Sequence, residues 1–356
     1  MKDDKIDIKT LDPQEYIAII KKCGEKPFRA KQLHEWLWKK HAHSFDDMTN
    51  LSSELREKLS KEFFIGYPKI TSKQQSKDNT IKIAFRLFDN SLIEGVIIPS
   101  GDRLTACISS QVGCALGCKF CATATMGFKR NLMAYEIYDQ LAEIEKIALE
   151  QFDDSISNVV LMGMGEPLLN YDEVSKAINF MTTSNGMGMS PSRITLSTAG
   201  IISGIKQMAD DNVKYNLAIS LHTADNEKRS RIMPTNTKND LFELKKVIQY
   251  FHEQTGSRIT YEYLFLKGFN DTLDDAALLA EFCKISPCKI NIIEYNPVNG
   301  IPFKPGSKQD LSSFVRYLEN KNLIVNIRQS KGADIDAACG QLACRIERKK
   351  DKNNEK

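Results

Sequence analysis

The segment GCALGCKFC (residues 113–121) places Cys114, Cys118 and Cys121 in the spacing C-x3-C-x2-C. It follows an apolar run that is typical of a β-strand, so we expect it to form a loop at a strand end. Three thiols this close in sequence suggest a metal site, because thiolates bind both zinc and iron–sulfur clusters. The segment therefore predicts a metal centre beside the end of a strand.

Three interpretations of this spacing remain open. Zinc would need a fourth ligand, and the nearest candidate thiol, Cys107, lies upstream inside the predicted strand. A [4Fe–4S] cluster held by three thiolates would leave one iron open to a small molecule. Three buried structural thiols are the third interpretation. Gly113 and Gly117 leave the backbone room to wrap around a cluster, which favours the iron–sulfur centre.

From residue 104 onward, apolar runs alternate with helical patterns. Strict alternation predicts a mostly parallel sheet with helical crossovers, either a barrel or a doubly wound sheet. In both architectures, sites lie at the carboxyl ends of the strands. The apolar runs cover residues 104–109, 159–164, 194–197, 215–221, 259–265, 290–295 and 324–327. The helical patterns cover residues 133–150, 172–183, 201–210, 240–255, 273–284 and 309–320.

The N-terminal part of the chain follows other patterns. Residues 12–65 have helical periodicity, and we assign residues 1–80 to a small helical accessory domain. From Ile81 the apolar period becomes two, which predicts a β-hairpin extension over residues 81–100. We assign residues 101–344 to the alternating region and residues 345–356 to a disordered basic tail.

Composition narrows the class of protein. The chain has 356 residues, 42% of them hydrophobic and 27% charged, as expected for a large globular domain with a small companion. It contains no continuous apolar stretch of membrane-spanning length, and its charged N-terminus is unlike a signal peptide. The cysteine count is nine, an odd number, so we expect reduced thiols, a cytoplasmic location and no membrane.

Charge is unevenly distributed. The formal net charge is +3, and the basic excess lies in residues 1–80 and 345–356, outside the alternating region. Basic ends could lie along a polyanion, because Lys and Arg contacts with phosphate give sequence-independent affinity. Solvated surface helices are the alternative explanation.

Several motifs resemble a known family. The cysteine spacing with Phe120 before the last cysteine, and the stretch GMGEP (residues 163–167), resemble the radical S-adenosylmethionine (SAM) superfamily. The stretches CISSQVGC (107–114), MGMGEPL (162–168) and DIDAACGQL (334–342) are similar to the RlmN family of dual-specificity RNA methyltransferases. The order and spacing of these motifs match over roughly residues 12–345.

This resemblance implies a fold and a set of cofactors. The fold is α/β, a partial (β/α)6 TIM-like radical SAM barrel with a helical N-terminal accessory domain and a short β-hairpin extension. The cofactors are one [4Fe–4S] cluster on the three clustered cysteines and SAM, of which two molecules are used per turnover. The implied cofactor contacts are Gly165, Glu166, Ser197, Ser220, Leu221, His222 and Asn296. Turn and cap formation is the alternative role for Ser197 and Asn296, and a structural role is the alternative for His222.

The resemblance also implies an activity and a mechanism. The family methylates C2 of an adenine in the peptidyl-transferase centre of 23S rRNA, and some members also methylate an adenine beside the tRNA anticodon. Adenine C2 is an electrophilic carbon, so a methyl cation has no nucleophile to meet there and a radical must add instead. The family places the methyl group on a cysteine, matched here by Cys339, and activates it with a 5′-deoxyadenosyl radical. Glu94 matches the proposed base for the C2 proton, and Cys107 matches the thiol that releases the product by forming a transient disulfide with Cys339. Cys344 stands where the family usually has a small residue.

The implied partners are 23S rRNA, tRNA as a second substrate, and an electron donor such as flavodoxin; we expect a monomer. Candidate RNA contacts in the N-terminal domain are Phe28, Arg29, Lys31, Trp36, Trp38, Lys39 and Lys40. Trp36 and Trp38 are two apart in a predicted helix and face different sides, so we expect at least one of them in the core. Two rival functions remain at this point: an adenine-C8 rRNA methyltransferase that confers antibiotic resistance, and a zinc-stabilised RNA-binding protein without catalysis. Pro167 and the stretch GFKRNL (127–132) favour methylation at C2 over C8.

Overall fold

The computed structural model describes residues 5–297, 300–328 and 331–335. Its centre is one ten-stranded sheet, in which seven neighbouring strands run parallel. In the order in which they lie in the sheet, these strands are β14 (Val325–Arg328), β13 (Cys288–Glu294), β12 (Ile259–Phe265), β11 (Asn216–Ser220), β10 (Ile194–Thr198), β9 (Asn158–Leu161) and β6 (Arg103–Cys107).

Helices connect the parallel strands, as the alternating pattern predicts. They are α4 (Ala134–Phe152), α5 (Tyr171–Thr182), α6 (Ile202–Asp210), α7 (Asn226–Ile232), α8 (Leu241–Thr255), α9 (Leu273–Phe282) and α10 (Lys308–Glu319). Only α7 among them is absent from the sequence prediction, because its sequence NEKRSRI has no apolar stripe. The predicted α/β fold with a partial (β/α)6 barrel is confirmed.

An antiparallel extension continues the sheet beyond β6. It consists of β3 (Lys69–Gln75), β4 (Ile81–Arg86) and β5 (Leu92–Ser100), with β5 paired to β6. The hairpin expected over residues 81–100 corresponds to β4 and β5. Strand β3 lies within residues 1–80, which the sequence pattern assigns to a helical domain. Its polar sequence KITSKQQ suits a half-exposed edge strand and carries no apolar alternation.

The N-terminal region forms a small helical layer. Its helices are α1 (Pro13–Lys22), α2 (Phe28–Trp38) and α3 (Ser53–Glu62), and the short strands β1 (Ile6–Asp7) and β2 (Phe63–Phe64) pair in parallel. A capping box between Asp12 and Glu15 begins α1 at Pro13, as expected for this sequence.

The N-terminal layer is packed tightly onto the barrel. The indole of Trp38 stacks on the ring of Phe180 in α5, with centroids 3.8 Å apart and planes 5° apart. Lys9 Nζ lies 2.6 Å from Asp139 Oδ2 in α4, and both side chains are buried. Of the two tryptophans in α2, Trp38 is therefore the one that belongs to the core, and it is not available to stack on RNA.

Candidate active site at the carboxyl ends of the parallel strands

The three-cysteine loop lies between two short strands, β7 (Gln111–Gly113) and β8 (Phe128–Asn131), which pair antiparallel. Cys114 N donates to Gly127 O at 2.9 Å, and Lys119 N donates to Ile232 O at the end of α7, also at 2.9 Å. Gly113 has φ +74°, and a side chain there would overlap the Gly127 carbonyl. Glycine is therefore required where the loop closes on itself.

The three thiols are half-buried and close enough to influence one another. Burial raises the pKa of Cys114 to about 11, and repulsion from the Cys121 thiolate adds to the increase. Burial likewise raises the pKa of Cys118 well above its usual range, with further repulsion from Cys121 and Cys114. Thiolates packed this way need a positive centre to stabilise them, and iron or zinc would supply it.

The donor set fits an iron–sulfur cluster. Within the described residues, no three or more His, Cys, Asp or Glu side chains form a group able to hold a single metal ion. A [4Fe–4S] cluster does not need such convergence, because each of its cysteines binds a different iron. The residues that would hold the cluster are Cys114, Cys118 and Cys121.

The glycine-rich stretch after β9 packs against the chain that leads into the cysteine loop. A Cβ atom at Gly163 would lie 2.6 Å from Ile108 O, and one at Gly165, where φ is +99°, would lie 2.5 Å from Gln111 Cβ. The two glycines thus allow close approach between the end of β9 and the segment from β6 to β7. They bring the backbone of Gly165 and Glu166 beside the cysteine loop, where both are predicted to contact the cofactor.

Glu166 connects the ends of two parallel strands through its carboxylate. One oxygen accepts from Ala199 N at 2.7 Å, and the other accepts from Leu168 N at 3.1 Å. Burial raises the pKa of this carboxyl to about 7, although these hydrogen bonds oppose the increase. The Glu166 side chain therefore positions these strand ends. This role is independent of the predicted contact between the backbone of Glu166 and the cofactor.

Arg229 of α7 also positions strand ends, namely those of β10 and β11. No sequence pattern singled out this residue. Its fully buried guanidinium donates to the carbonyl oxygens of Ala199 at 2.7 Å, Ser220 at 3.2 Å and Leu221 at 3.2 Å. It therefore fixes the backbone of two predicted cofactor contacts, Ser220 and Leu221. In the sequence NEKRSRI it looks like one more surface cation.

His222 is buried at the end of β11 in a left-handed conformation, with φ +59°. Its Nδ1 accepts from Leu264 N at 3.1 Å, and its ring lies edge-on to Phe120, with centroids 4.7 Å apart. Burial lowers the pKa of the imidazole to about 3, and the nearby charge of Arg229 lowers it further. The ring is therefore a neutral spacer against the cysteine loop. These contacts give His222 a structural role. Its contact with the cofactor stays a prediction.

The other two predicted cofactor contacts also lie at strand ends. Ser197 is in β10, one residue before its end, and is buried. Asn296 follows β13 by two residues and is half-buried. Both lie on the same edge of the sheet as Ser220 and Glu166, as parallel topology requires.

Glu94, Lys82 and Cys107 lie on one face of the sheet. Cys107 of β6 is opposite Val96 of β5, which is opposite Lys82 of β4. Glu94 precedes Val96 by two residues, and cross-strand partners and alternate residues share a face. Glu94 is 3% exposed, and its carboxylate lies 3.4 Å from Lys82 Nζ. The structure thus brings the predicted base and the predicted resolving thiol together.

Sequence reasoning missed Lys82 because of the strand's period. Ile81, Ile83 and Phe85 form the apolar face of β4, so alternation places Lys82 on a solvated face. In the structure both faces of β4 are buried, because the barrel interior covers the second face. Burial raises the pKa of the Cys107 thiol to about 11, and the charges of Arg328 and Lys82 partly oppose this increase.

The remaining predicted site residue, Cys339, lies outside the described residues, as do Cys344 and the basic tail. The nearest described segment, residues 331–335, contacts the turn between β3 and β4.

The predicted RNA-contacting residues of the N-terminal layer differ in exposure. Phe28, Lys31, Lys39 and Lys40 are exposed, and the Arg29 guanidinium lies 5.0 Å from the Phe28 ring centroid. Trp36 is half-buried, with Lys40 Nζ 4.1 Å from its ring centroid. Apart from Trp38, these basic and aromatic residues occupy exposed or half-buried positions in α2 and in the two residues that follow it. We call them the basic surface of α2.

Two family models match the chain. The model of the ribosomal RNA large subunit methyltransferase N-terminal domain matches residues 6–65, and the model of the radical SAM superfamily matches residues 108–280. No helix among the described residues has the length and apolar character needed to cross a membrane.

Two curated proteins similar to this chain are both named probable dual-specificity RNA methyltransferase RlmN. The protein from Cytophaga hutchinsonii is 52% identical over 94% of this chain and 92% of its own length. The one from Flavobacterium johnsoniae is 47% identical over 96% of this chain and 98% of its own length. A crystal structure of a radical SAM methyltransferase from Sphaerobacter thermophilus is 34% identical, with a TM-score of 0.88 and coverage of 94% of this chain and 98% of that one.

Proposed function

Because the chain belongs to the RlmN family of dual-specificity radical SAM RNA methyltransferases, we propose that it methylates C2 of an adenine in 23S rRNA and an adenine in tRNA. The enzyme uses a [4Fe–4S] cluster and SAM. The observation that best supports the proposal is the placement of Cys107 and Glu94 on one face of the sheet, beside the strand that leads into the three-cysteine loop.

Cys114, Cys118 and Cys121 hold the cluster in this proposal. When bound, it supplies the electron that cleaves SAM to give the 5′-deoxyadenosyl radical. SAM binds among two groups of residues in this proposal. The first is the backbone at Gly165 and Glu166, and the second consists of the strand-end residues Ser197, Ser220, Leu221, His222 and Asn296. Arg229 and the Glu166 carboxylate keep those strand ends in register.

The protein residues then carry the methyl group and the proton. The Cys339 thiolate accepts a methyl group from one SAM molecule by displacement. After the 5′-deoxyadenosyl radical abstracts a hydrogen atom from that methyl group, the carbon adds to C2 and links Cys339 to the RNA. The adduct gives up one electron, for which the bound cluster would be the acceptor, and Glu94 takes the C2 proton. The Cys107 thiolate then attacks the Cys339 sulfur, so that the bond between this sulfur and the methylene carbon breaks. The released carbon takes up a proton to become the methyl group, and the two cysteines are left as a disulfide. The Lys82 ammonium lies 3.4 Å from the Glu94 carboxylate and helps to hold it on the face that it shares with Cys107.

The electron donor is a flavodoxin-like acidic protein in this proposal. Lys119 is exposed in the cysteine loop, and Phe128 and Lys129 are exposed in β8, which follows the loop. Exposed basic and apolar side chains so near the loop in sequence suit an acidic one-electron carrier. The enzyme acts as a monomer in the cytoplasm, where reductants restore the thiols after each turnover.

The test is methylation of an isolated 23S rRNA fragment and of tRNA by the enzyme after anaerobic reconstitution with iron and sulfide. Nucleoside mass spectrometry should detect 2-methyladenosine in both RNAs, and metal analysis should find about four irons per chain. Production of 8-methyladenosine, or binding of zinc without methylation, would overturn the proposal.

A further inference from the structure

The turn between β3 and β4 holds the last described segment of the chain by reciprocal hydrogen bonds. Ser76 Oγ donates to Asp334 Oδ1 at 2.5 Å, and Lys77 N donates to Asp334 Oδ2 at 3.2 Å. In the other direction, Gly332 N donates to Asp78 Oδ2 at 2.9 Å. These bonds join residues more than 250 positions apart, so they cannot arise from local turn formation.

The turn formed by residues 76–80 also has hydrogen bonds of its own, independent of residues 331–335. Ser76 N donates to Thr80 O at 2.9 Å, and Thr80 N donates to Asp78 Oδ1 at 3.0 Å. Asn79 adopts φ +65°, a conformation that asparagine tolerates better than most residues. Asp78 Oδ2 and the Ser76 hydroxyl are thus oriented toward the C-terminal segment by a rigid turn.

Electrostatics support this arrangement. Partial burial acts to raise the pKa of Asp78, but hydrogen bonds from Gly332 N and from Thr80 outweigh it and hold that pKa well below its usual value. The pKa of Asp334 is lowered by its hydrogen bond with Ser76 and its bond with Lys77 N. Both carboxylates are therefore ionised acceptors at neutral pH, which makes these hydrogen bonds charge-assisted.

The position of this turn relates it to the proposed chemistry. It leads directly into β4, and Lys82 of β4 is two strands from Cys107. Strand geometry puts Thr80 about 7 Å from Lys82, and Cys107 about 10 Å from Lys82. Cys339 follows Asp334 by five residues, so an extended chain reaches at most about 18 Å from Asp334. This length exceeds the distance of about 12 Å that the same strand geometry gives between Thr80 and Cys107.

We propose that Ser76 and Asp78 are positioning residues for methyl transfer, because they anchor residues 331–335, the described segment that precedes the proposed methyl carrier Cys339 in the chain. This inference rests on the proposed function. The antiparallel extension of the sheet then has a role in the reaction. Its turn between β3 and β4 anchors the residues that directly precede the segment with the proposed methyl carrier. A tethered thiol reacts at a higher effective concentration than one on an unanchored segment.

The experiment is a double-mutant cycle with Ser76→Ala, Asp334→Ala and the double variant, plus Asp78→Ala. Each single variant should lower kcat for RNA methylation about tenfold, through loss of effective concentration, with KM for RNA nearly unchanged. The double variant Ser76→Ala/Asp334→Ala should be no worse than Asp334→Ala alone, because Asp334→Ala already removes the bond to Ser76 as well as the bond to Lys77 N. Ser76→Thr keeps the hydroxyl and should restore activity.

A matched control exists in α10. Ser307 Oγ donates to Asp310 Oδ2, also at 2.5 Å, but this pair lies within one helix turn on the exposed surface. Ser307→Ala and Asp310→Ala should leave kcat unchanged. If the Ser76 and Asp334 variants behave like this control, the positioning role is wrong.

A second readout separates this inference from the proposed function. Hydrogen exchange at the Gly332 amide should become faster in Asp78→Ala, whether or not the enzyme methylates RNA. Unchanged exchange would overturn the anchor itself. Faster exchange with undiminished kcat would overturn its positioning role. A wild-type enzyme that methylates neither RNA would overturn the proposed function instead.

Discussion

At the scale of single residues, two buried cations decide the geometry of the site. Arg229 and Lys82 both stand in stretches that suggest solvent exposure, yet neither side chain reaches solvent. A buried charge is tolerated only when its hydrogen bonds and partners replace water. Arg229 meets this condition with backbone carbonyls and the Asn236 amide, and Lys82 meets it with Glu94.

Replacing Arg229 should therefore be costly. Arg229→Met leaves the carbonyls of Ala199, Ser220 and Leu221 without their donor, and we expect a loss of about 3–5 kcal/mol in the free energy of unfolding. Urea unfolding followed by circular dichroism measures this change. Arg231→Met, an exposed change in the same helix, should cost less than about 1 kcal/mol. Equal effects of the two variants would contradict the role assigned to Arg229.

Replacing Cys107 should trap the reaction. Cys107→Ala leaves no thiol to release the RNA, so a covalent complex between Cys339 and the RNA should accumulate after a single turnover. A gel shift that survives denaturation and is removed by nuclease detects the complex. Cys283→Ala, which changes a buried thiol between α9 and β13, should turn over without it. Free product from Cys107→Ala at the wild-type rate would exclude the resolving role.

His222 should make the fold sensitive to acid. Its pKa is about 3 in the folded protein and about 6.5 in an unfolded chain. Between these values the unfolded chain binds a proton that the folded one does not, so stability falls as pH falls from 6.5 toward 3. When the pH is lowered from 7 to 5, the free energy of unfolding should fall by about 2 kcal/mol more in the wild type than in His222→Gln. Parallel stability curves in urea would show that the imidazole is not held neutral.

At the scale of elements, periodicity predicted most of the fold. All seven parallel strands and six of their helices lie where apolar runs and helical patterns place them. Strand β3 and helix α7 carry no such pattern, since β3 is a polar edge strand and α7 is short and charged. Both form because neighbouring elements supply their partners. Both also bear on the site, since β3 begins the turn that holds residues 331–335 and α7 carries Arg229.

The ion pair between Lys9 and Asp139 should hold the N-terminal layer to α4. Lys9→Met or Asp139→Leu alone leaves a buried charge unpaired and should cost about 3–5 kcal/mol of stability, whereas the double variant should recover much of it. Thermal unfolding gives the comparison. The exposed pair Lys22–Glu62, with side chains 69% and 54% exposed, is the control, and Glu62→Gln should change stability by less than about 1 kcal/mol. Additive losses in the Lys9–Asp139 double variant would argue against a direct pair.

At the scale of the whole molecule, the N-terminal layer and the barrel share one packed interface. Stacking of Trp38 on Phe180 and the Tyr138 hydroxyl bond to Trp38 O at 2.8 Å continue the core across the boundary. The basic surface of α2 is thereby held in a defined orientation relative to the barrel.

The basic surface should give a salt-dependent contribution to RNA binding. The triple variant Lys31→Gln/Lys39→Gln/Lys40→Gln removes three potential phosphate contacts, so the slope of log K against log salt should become shallower by about 2–3. Filter binding or anisotropy over a salt series measures it. Lys245→Gln/Lys246→Gln/Lys284→Gln, on the outer side of the barrel, should keep the wild-type slope. An unchanged slope in the α2 variant would place the RNA elsewhere.

The amino-acid sequence by itself determined the barrel and the location of the three-cysteine loop. Strand and helix periods are local properties of the chain, and the spacing of Cys114, Cys118 and Cys121 is local too. Only the tertiary structure decided that Lys82, Glu94 and Cys107 share a face, that Arg229 holds the strand ends and that Trp38 is core. These outcomes depend on sheet register and on contacts between distant residues, which no local pattern encodes.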